Sequence, residues 1–436
     1  MLSLSALLLL LILVLVLLGL GIPIGFALGG VSVAGVLLLM GPEGLYMLFA
    51  TAYGEVTNYL LIAVPLYIFM ANMLGVSDLA DDLYQAVHSW FGRLRGGLAI
   101  GTVVICALFA AMAGISSVAT VAMGLIALPS MLKRGYHKHL ALGCISAGGA
   151  LGILIPPSII MIIYGSIAEV SIGQLFMGGV VPGILLTLIF VVYIGVRCLI
   201  SPELGPPDTE RLSLVDKVKA VRGIVLPLLL IASVLGVIYF GVCTPTEAAA
   251  IGAAGALLCS LIYGKLTLRN LYQACMRTLR LNAMVLWIMI GAVAFSHLMS
   301  LAGLHTHTLN LISKVKAEPW VILAVMQLTF FILGMFLDPA GVIMITTPVF
   351  LPIVNQLGFD PVWFGVLFVI NMEMAYLTPP FGFNLFIMKG VAPPDISMSD
   401  IYRSIIPYVA LQALCLVLAI IFPKLILWLP QTMVVK

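Results

Sequence analysis

The chain has 436 residues, of which 63% are hydrophobic and only 8% charged, with a net charge of +3. A soluble domain carries about 25% charged residues, so so few cannot cover a water-exposed surface and lipid must be the solvent for most of this chain. The small net charge says nothing about nucleic acid, but there is no basic patch with interleaved aromatics, and no nucleic-acid partner is expected.

In chain order, residues 4–20 form the first apolar run. They lack a basic leader and a small-residue cleavage site and are followed at once by another run, so they read as a membrane helix and not as a signal peptide. A second span covers 22–40. An amphipathic stretch occupies about 43–58 and a third span 59–76. The 77–96 segment reads as a loop. An apolar stretch at 98–131 with a polar, Gly-containing middle predicts a re-entrant hairpin, followed by a span at 138–168 interrupted by Pro156-Pro157 and a closing span at 175–199. A polar linker, 201–222, leads to the same series again. Spans are expected at 224–241 and 245–264, an amphipathic stretch at 266–280 and a span at 281–301. A hairpin at 321–355 precedes a span at 361–391 broken by Pro379-Pro380, and a last span covers 404–428. The alternating ten-residue strands of a membrane barrel are absent.

The recurrence has a nearly fixed offset. Pro23 and Pro245 are 222 residues apart; Pro129 and Pro352, Gly135 and Gly358, and the two Pro-Pro pairs are 223 apart; Pro182 and Pro407 are 225 apart. The expected domains are therefore repeat 1 (1–200), the linker (201–222) and repeat 2 (223–436). A hairpin that enters and leaves on one side gives each repeat five crossings, and the odd number inverts the second repeat. With the 77–96 segment placed in the cytoplasm, 16 Lys and Arg fall inside and 4 outside, as the positive-inside rule requires. Both termini are then expected on the periplasmic side.

The chemistry is expected at four breaks. Peptide groups cannot stay unpaired in lipid, so irregular backbone survives only inside protein or along a wet cavity. There, freed carbonyls can hold a cation and helix N-termini an anion. Paired interruptions of this kind point to a secondary transporter; the alternative for each break is a simple packing kink. The breaks are 113–120 (Ala-Gly-Ile-Ser-Ser-Val-Ala-Thr), 148–158 with Gly152 and Ser158, 337–341 (Leu-Asp-Pro-Ala-Gly) and 377–384 (Leu-Thr-Pro-Pro-Phe-Gly-Phe-Asn). Adjacent prolines remove two donors and force an extended turn. Ser, Thr, Asn and Asp offer hard oxygen ligands that suit Na⁺ better than a transition metal.

Intramembrane acids are expensive. Asp338 reads as a cation or substrate contact, as an N-cap before Pro339, or both. Glu373 reads equally as a cation partner, a proton carrier or a buried strut. Glu247 sits in the capping box Thr244-Pro245-Thr246-Glu247. Glu55 and Glu169 read as interfacial, His297 as a helix-face residue, and His305 and His307 as a solvated loop in preference to a metal site. The seven cysteines are scattered, without a C-x-x-C pair, and read as small apolar residues. No phosphate loop, H-E-x-x-H or nucleophile triad is present, so energy must come from an ion gradient or another subunit. The amphipathic stretches suit helices lying along the membrane surface.

The stretches GISSVATVAMGLIALPSMLKRGY, ALGCISAGGALGILIPPSIIMIIYG, SIGQLFMGGVVPG, TPTEAAAIGAAGAL, FLDPAGVIMITTPVFLPIV and LTPPFGFNLF together resemble the large membrane subunit (DctM type) of tripartite ATP-independent periplasmic (TRAP) transporters, within the ion-transporter superfamily. The resemblance spans essentially the whole chain. It implies an all-α polytopic fold of two inverted repeats working as an elevator in the bacterial inner membrane. It also implies Na⁺-coupled uptake of an organic acid such as a C4-dicarboxylate, a keto acid or a sialic acid. The substrate would come from a soluble periplasmic binding protein, and a small four-helix membrane subunit would pair with this one. No cofactor is implied beyond Na⁺ as the coupling ion. Sodium would lie at Ser116, Ser117, Gly152 and Pro156 in one half and at Asp338, Gly341, Thr378 and Pro379 in the other. The substrate would sit between the tips, near Ser116, Thr120, Ser158, Asp338 and Asn384. The NMEMAYLTPPFGFNLF version is closer to members that handle monocarboxylic or keto acids. The rival readings are an intramembrane enzyme built on Asp338 and Glu373, an ion antiporter and a passive channel.

Overall fold

The computed structural model describes residues 4–76, 79–207, 214–303, 317–380 and 382–434. Among these the chain forms nineteen α-helices joined by short turns, and no strand. The first part holds α1 (Leu4–Gly19), α2 (Ile24–Met40), α3 (Gly44–Val56), a 3-10 turn (Tyr59–Ile62), α4 (Ala63–Gly75), α5 (Leu79–Phe91), α6 (Gly97–Ala113), α7 (Ser116–Lys133) and α8 (Lys138–Ala150). After a second 3-10 turn (Leu151–Ile153) come α9 (Ile159–Ala168), α10 (Ile172–Ile200) and a third such turn (Pro202–Leu204). The second part holds α11 (Leu214–Tyr239), α12 (Pro245–Ile262), α13 (Leu268–Leu301), α14 (Pro319–Gly334), α15 (Pro339–Gln356), α16 (Pro361–Ala375), α17 (Phe383–Val391), α18 (Met398–Ile421) and α19 (Lys424–Gln431). Six helices (α7, α10, α12, α13, α15 and α18) are each long and apolar enough to cross a membrane.

The helices associate in two groups. Helix α13 packs on α2, α3 and α4, and α12 packs on α4 and α11. The other group contains both hairpins and both broken spans: α6, α7 and α8 pack together, α17 lies on α7, α8 and α18, and α15 lies on α9 and α16. Small residues permit the closest approaches. On α8, whose residues 140–150 are all buried, a Cβ on Gly148 would stand 2.9 Å from the Cys106 Cβ, and one on Gly143 would stand 2.5 Å from the Ser404 carbonyl.

Four local expectations need correction. Residues 77–96 are not simply a loop, because α5 fills most of them and packs on α6 and α11. Its buried Leu83, Ala86 and Val87 recur at helical spacing, a stripe too short to stand out in a chain this apolar. The amphipathic stretch 266–280 and the span 281–301 are one 34-residue helix, α13, since no Gly or Pro interrupts 268–290. Its counterpart does break, where the Asn58 side chain accepts from the Leu60 N–H and bends the pair of helices by 48°. Helix α11 starts at Leu214, inside the polar linker. The closing span starts at Met398, where Ser397 and Asp400 form a capping box, and it stops before Pro423. The histidines at 305 and 307 lie outside the described residues, as do Lys314, Lys316 and Lys436.

The Thr244-Glu247 capping box forms as its spacing predicts. Thr244 N–H donates to Glu247 Oε2 at 2.8 Å, and Glu247 N–H to Thr244 Oγ1 at 3.3 Å. His297 is exposed on α13.

The turn between α6 and α7 depends on Gly114, whose φ is +63° and whose Cβ position is occupied by the Pro157 carbonyl. A side chain there meets both the left-handed penalty and a backbone atom. Gly114→Ala is expected to lower stability by about 2 kcal/mol or more, read as a lower thermal midpoint of the purified protein in detergent. Gly236→Ala, at a helical glycine with nothing within 4 Å of its Cβ position, should leave that midpoint unchanged or raise it.

Candidate functional site

Both hairpins and both Pro-Pro segments are broken in the structure. The first hairpin turns at Gly114-Ile115, and α7 begins at Ser116. The turn rests directly on the first broken span: a Cβ on Gly152 would stand 2.9 Å from the backbone N and Cα of Ser116. Residue 152 must therefore be glycine for the two irregular backbones to touch. Pro156 is buried behind this contact. Ser158 caps α9, donates its hydroxyl to the Ile153 carbonyl at 2.5 Å and is fully buried. Ser116 and Ser158 carry hydroxyl oxygens, hard donors of the kind that suit an alkali cation better than a transition metal. Ser117 stands slightly apart, lining a cleft described below.

The second hairpin turns at 335–338. Asp338 is the N-cap of α15 and accepts from the Gly341 N–H at 3.3 Å, with Pro339 at the first helical position. The capping role is therefore real, and the carboxylate stays half-buried. Tyr376, at the end of α16, lies within electrostatic reach of it. Thr378 donates its hydroxyl to the Met374 carbonyl at 2.8 Å. Thr378 and Pro379 lie in the break between α16 and α17, and no hydrogen bond among the described residues ties them to the 337–341 turn.

The most specific link runs between the two parts of the chain. Thr120 on α7 donates to Asn384 Oδ1 on α17 at 2.8 Å, and the Asn384 amide donates to the Ser146 carbonyl on α8 at 2.8 Å. Thr120, Asn384 and Ser146 are all 0% exposed, so these bonds are made in a dry interior where an unpaired amide would be costly. Ser116, whose carbonyl accepts from Thr120 at 3.1 Å, joins the same network. A second link is reciprocal: α15 of the second hairpin packs on α9 of the first broken span. Each hairpin thus lies against a broken span from the other part of the chain. Of the residues anticipated for substrate, Ser116, Thr120 and Asn384 are brought together and Ser158 adjoins them across Gly152, whereas Asp338 is at the other turn.

Glu373 is fully buried on α16 beside Gln412 of α18. Neither of its oxygens meets ordinary hydrogen-bond geometry among the described residues. It is not part of either turn.

Two clefts lie between the hairpins and α13. One, of about 500 Å³, is walled mainly by apolar side chains such as Phe109, Val121 and Leu125, with Asn72, Ser117 and Arg277 as its polar groups. The other, of about 480 Å³, is lined by Glu169, Ser296, Ser300, Thr347 and Asn355. Arg277 and Ser296 are some 19 residues apart on one helix, roughly 28 Å at 1.5 Å per residue, so the clefts lie toward opposite ends of α13. The amphipathic pattern of 266–280 suggests a surface-lying helix for Arg277. The uninterrupted run 268–290 was the available sign that this arginine belongs to a spanning helix.

Comparison with known proteins agrees with this architecture. A model of the family described as "Tripartite ATP-independent periplasmic transporter, DctM component" matches residues 11–425. The chain is 33% identical to the C4-dicarboxylate TRAP transporter large permease protein DctM of Pseudomonas aeruginosa, over 92% of this chain and 93% of that protein. It is 31% identical to the isethionate TRAP transporter permease protein DctMQ of Oleidesulfovibrio alaskensis, over 92% of this chain but 63% of that one. Other similar relatives are named as permeases for ectoine and for sialic acid. Among solved structures, the YdaH transporter of Alcanivorax borkumensis superposes with a TM-score of 0.64 at 16% identity, covering 92% of this chain and 97% of the other, which supports the fold. The chain belongs to the DctM family: it is the large, multi-pass permease component of a TRAP transporter, and not an enzyme.

Proposed function

We propose that this permease is the transport path of a Na⁺-coupled importer for a small organic anion in the bacterial inner membrane. A periplasmic binding protein delivers the anion, and a small four-helix membrane subunit completes the carrier. The observation that carries this reading is the pair of clefts toward opposite ends of α13, each walled by one hairpin and each holding polar groups. A carrier needs a site that reaches one side of the membrane and then the other. Two inverted repeats, 1–200 and 223–436, supply such a pair, and both termini then face the periplasm. The hairpins and broken spans, tied by Thr120, Asn384 and Ser146, move as one body against a framework of α2, α4, α12 and α13, in the manner of an elevator. Hydroxyl and carbonyl oxygens around Ser116, Ser117, Gly152 and Pro156, and around Asp338, Gly341, Thr378 and Pro379, are the proposed Na⁺ ligands. The anion lies between the turns, near Ser116, Thr120, Ser158, Asp338 and Asn384, and passes Arg277 on its way through the first cleft. The relatives named for a dicarboxylate, isethionate, ectoine and sialic acid fit a permease whose selectivity resides largely in the binding protein. The longer DctMQ relative fits a small subunit that is separate here and fused there.

The reading is tested in proteoliposomes containing both membrane subunits and the binding protein. Uptake of the radiolabelled acid should require an inward Na⁺ gradient; uptake that persists in K⁺ alone would remove the coupling. Asp338→Ala should raise the half-saturating Na⁺ concentration roughly tenfold or more, as loss of a charged contact implies, with expression largely intact. Because alanine also removes a helix cap worth about 1 kcal/mol, Asp338→Ser separates the two roles. It should restore thermal stability but not Na⁺ sensitivity, and unchanged Na⁺ dependence in both variants rejects the assignment. Arg277→Gln should raise the substrate KM roughly tenfold and leave the Na⁺ half-saturation in place; an unaltered KM would take Arg277 off the path.

A further inference from the structure

A further cavity, of about 250 Å³, lies where α10 ends and α8 and α18 begin, away from both hairpin turns. Its wall includes His137, His139, Arg197, Arg403 and Tyr408. The two arginines come from different helices, are exposed, and form no ion pair among the described residues. The nearby acid is already engaged: Asp400 binds Lys138 at 2.7 Å and caps the Ser397 N–H at 3.0 Å. Glu203, on the adjacent 3-10 turn, does not line the cavity. Burial, with His139 and Lys138 beside it, holds His137 below the ordinary imidazole value. At neutral pH it is an uncharged hydrogen-bonding group, and the positive charge comes from the arginines. Tyr408 is 1% exposed, and its hydroxyl has no hydrogen-bond partner among the described residues, an expensive arrangement unless something polar reaches it.

The cavity continues into a groove of a different kind. Tyr193 and Arg197 line both the cavity and a groove of about 600 Å³ running along α10 and α18. That groove is otherwise walled by apolar side chains such as Leu188, Val192, Val196 and Leu414. A pair of unpaired guanidinium groups at the end of an apolar channel matches one chemistry, a phosphodiester carrying a hydrocarbon chain.

We propose that the joined cavity and groove bind one anionic glycerophospholipid. Its phosphate sits between Arg197 and Arg403, and one acyl chain lies along α10 over Val192 and Val196. A zwitterionic lipid fits less well, because its ammonium finds no free carboxylate in the cavity wall. Binding here joins α8, α10 and α18 at their shared end.

The test is native mass spectrometry of the purified full-length permease with added phosphatidylglycerol, phosphatidylcholine or inorganic phosphate. Phosphatidylglycerol should give one tightly held adduct that phosphatidylcholine does not match, and inorganic phosphate should not displace it. Arg197→Gln with Arg403→Gln should weaken that adduct about thirtyfold, the loss expected of two basic residues at a lipid surface. Val192→Trp, at an exposed position that fills the groove, should weaken it while leaving both arginines in place. Equal retention of the two lipids, or adducts unaffected by the double arginine variant, overturns the proposal. So does phosphate binding that survives Val192→Trp and competes with phosphatidylglycerol, which would make the cavity a site for free anions.

Discussion

Hydrocarbon gives a peptide group no hydrogen-bond partner, and the whole arrangement of this permease answers that constraint. Most of the chain satisfies it by being helix. At the two breaks of the first half the backbone is buried against other backbone. At Gly114 the turn lies on the Pro157 carbonyl, and at Gly152 it lies on Ser116. At the second hairpin the Asp338 carboxylate takes up an amide of the turn that follows. In the first half, therefore, each break shields the other, and the peptide groups they leave out of helix are concentrated away from lipid.

That concentration links the fold to the proposed transport. The Thr120–Asn384–Ser146 network joins a hairpin from one part of the chain to a broken helix from the other. All three residues are excluded from solvent, so the link is costly to break. The contacts with α13 differ in character, since clefts interrupt them near Arg277 and near Ser296. Under the proposed mechanism those interrupted contacts bound the part that moves.

Charge placement follows the same economy. Acids and bases at the ends of helices are engaged by caps or ion pairs, as with Glu247 and Asp400. Glu373 departs from this pattern, fully buried with only Gln412 beside it. Arg197 and Arg403 depart from it at the surface, exposed and without an ion pair among the described residues.

Much of this was legible in the sequence. Composition fixed the solvent, because 8% charged residues cannot cover a surface in water. Local rules gave the hairpin turns, the Pro-Pro breaks and the caps at Thr244 and Asp338, since each is written within about four residues. Element boundaries failed where the signal was an absence or too weak. Helix α13 runs unbroken because nothing stops it, and α5 emerges from a stripe of only a few buried residues. Which residues meet across the fold was decided by the tertiary structure alone. Thr120 and Asn384 are 264 positions apart, and no periodicity along the chain encodes their hydrogen bond. The same holds for Arg277 and Ser117, which line one cleft, and for Arg197 and Arg403, which line one cavity. Sequence spacing dictates how a segment folds on itself, whereas the approach of distant segments depends on packing that only the assembled helices define.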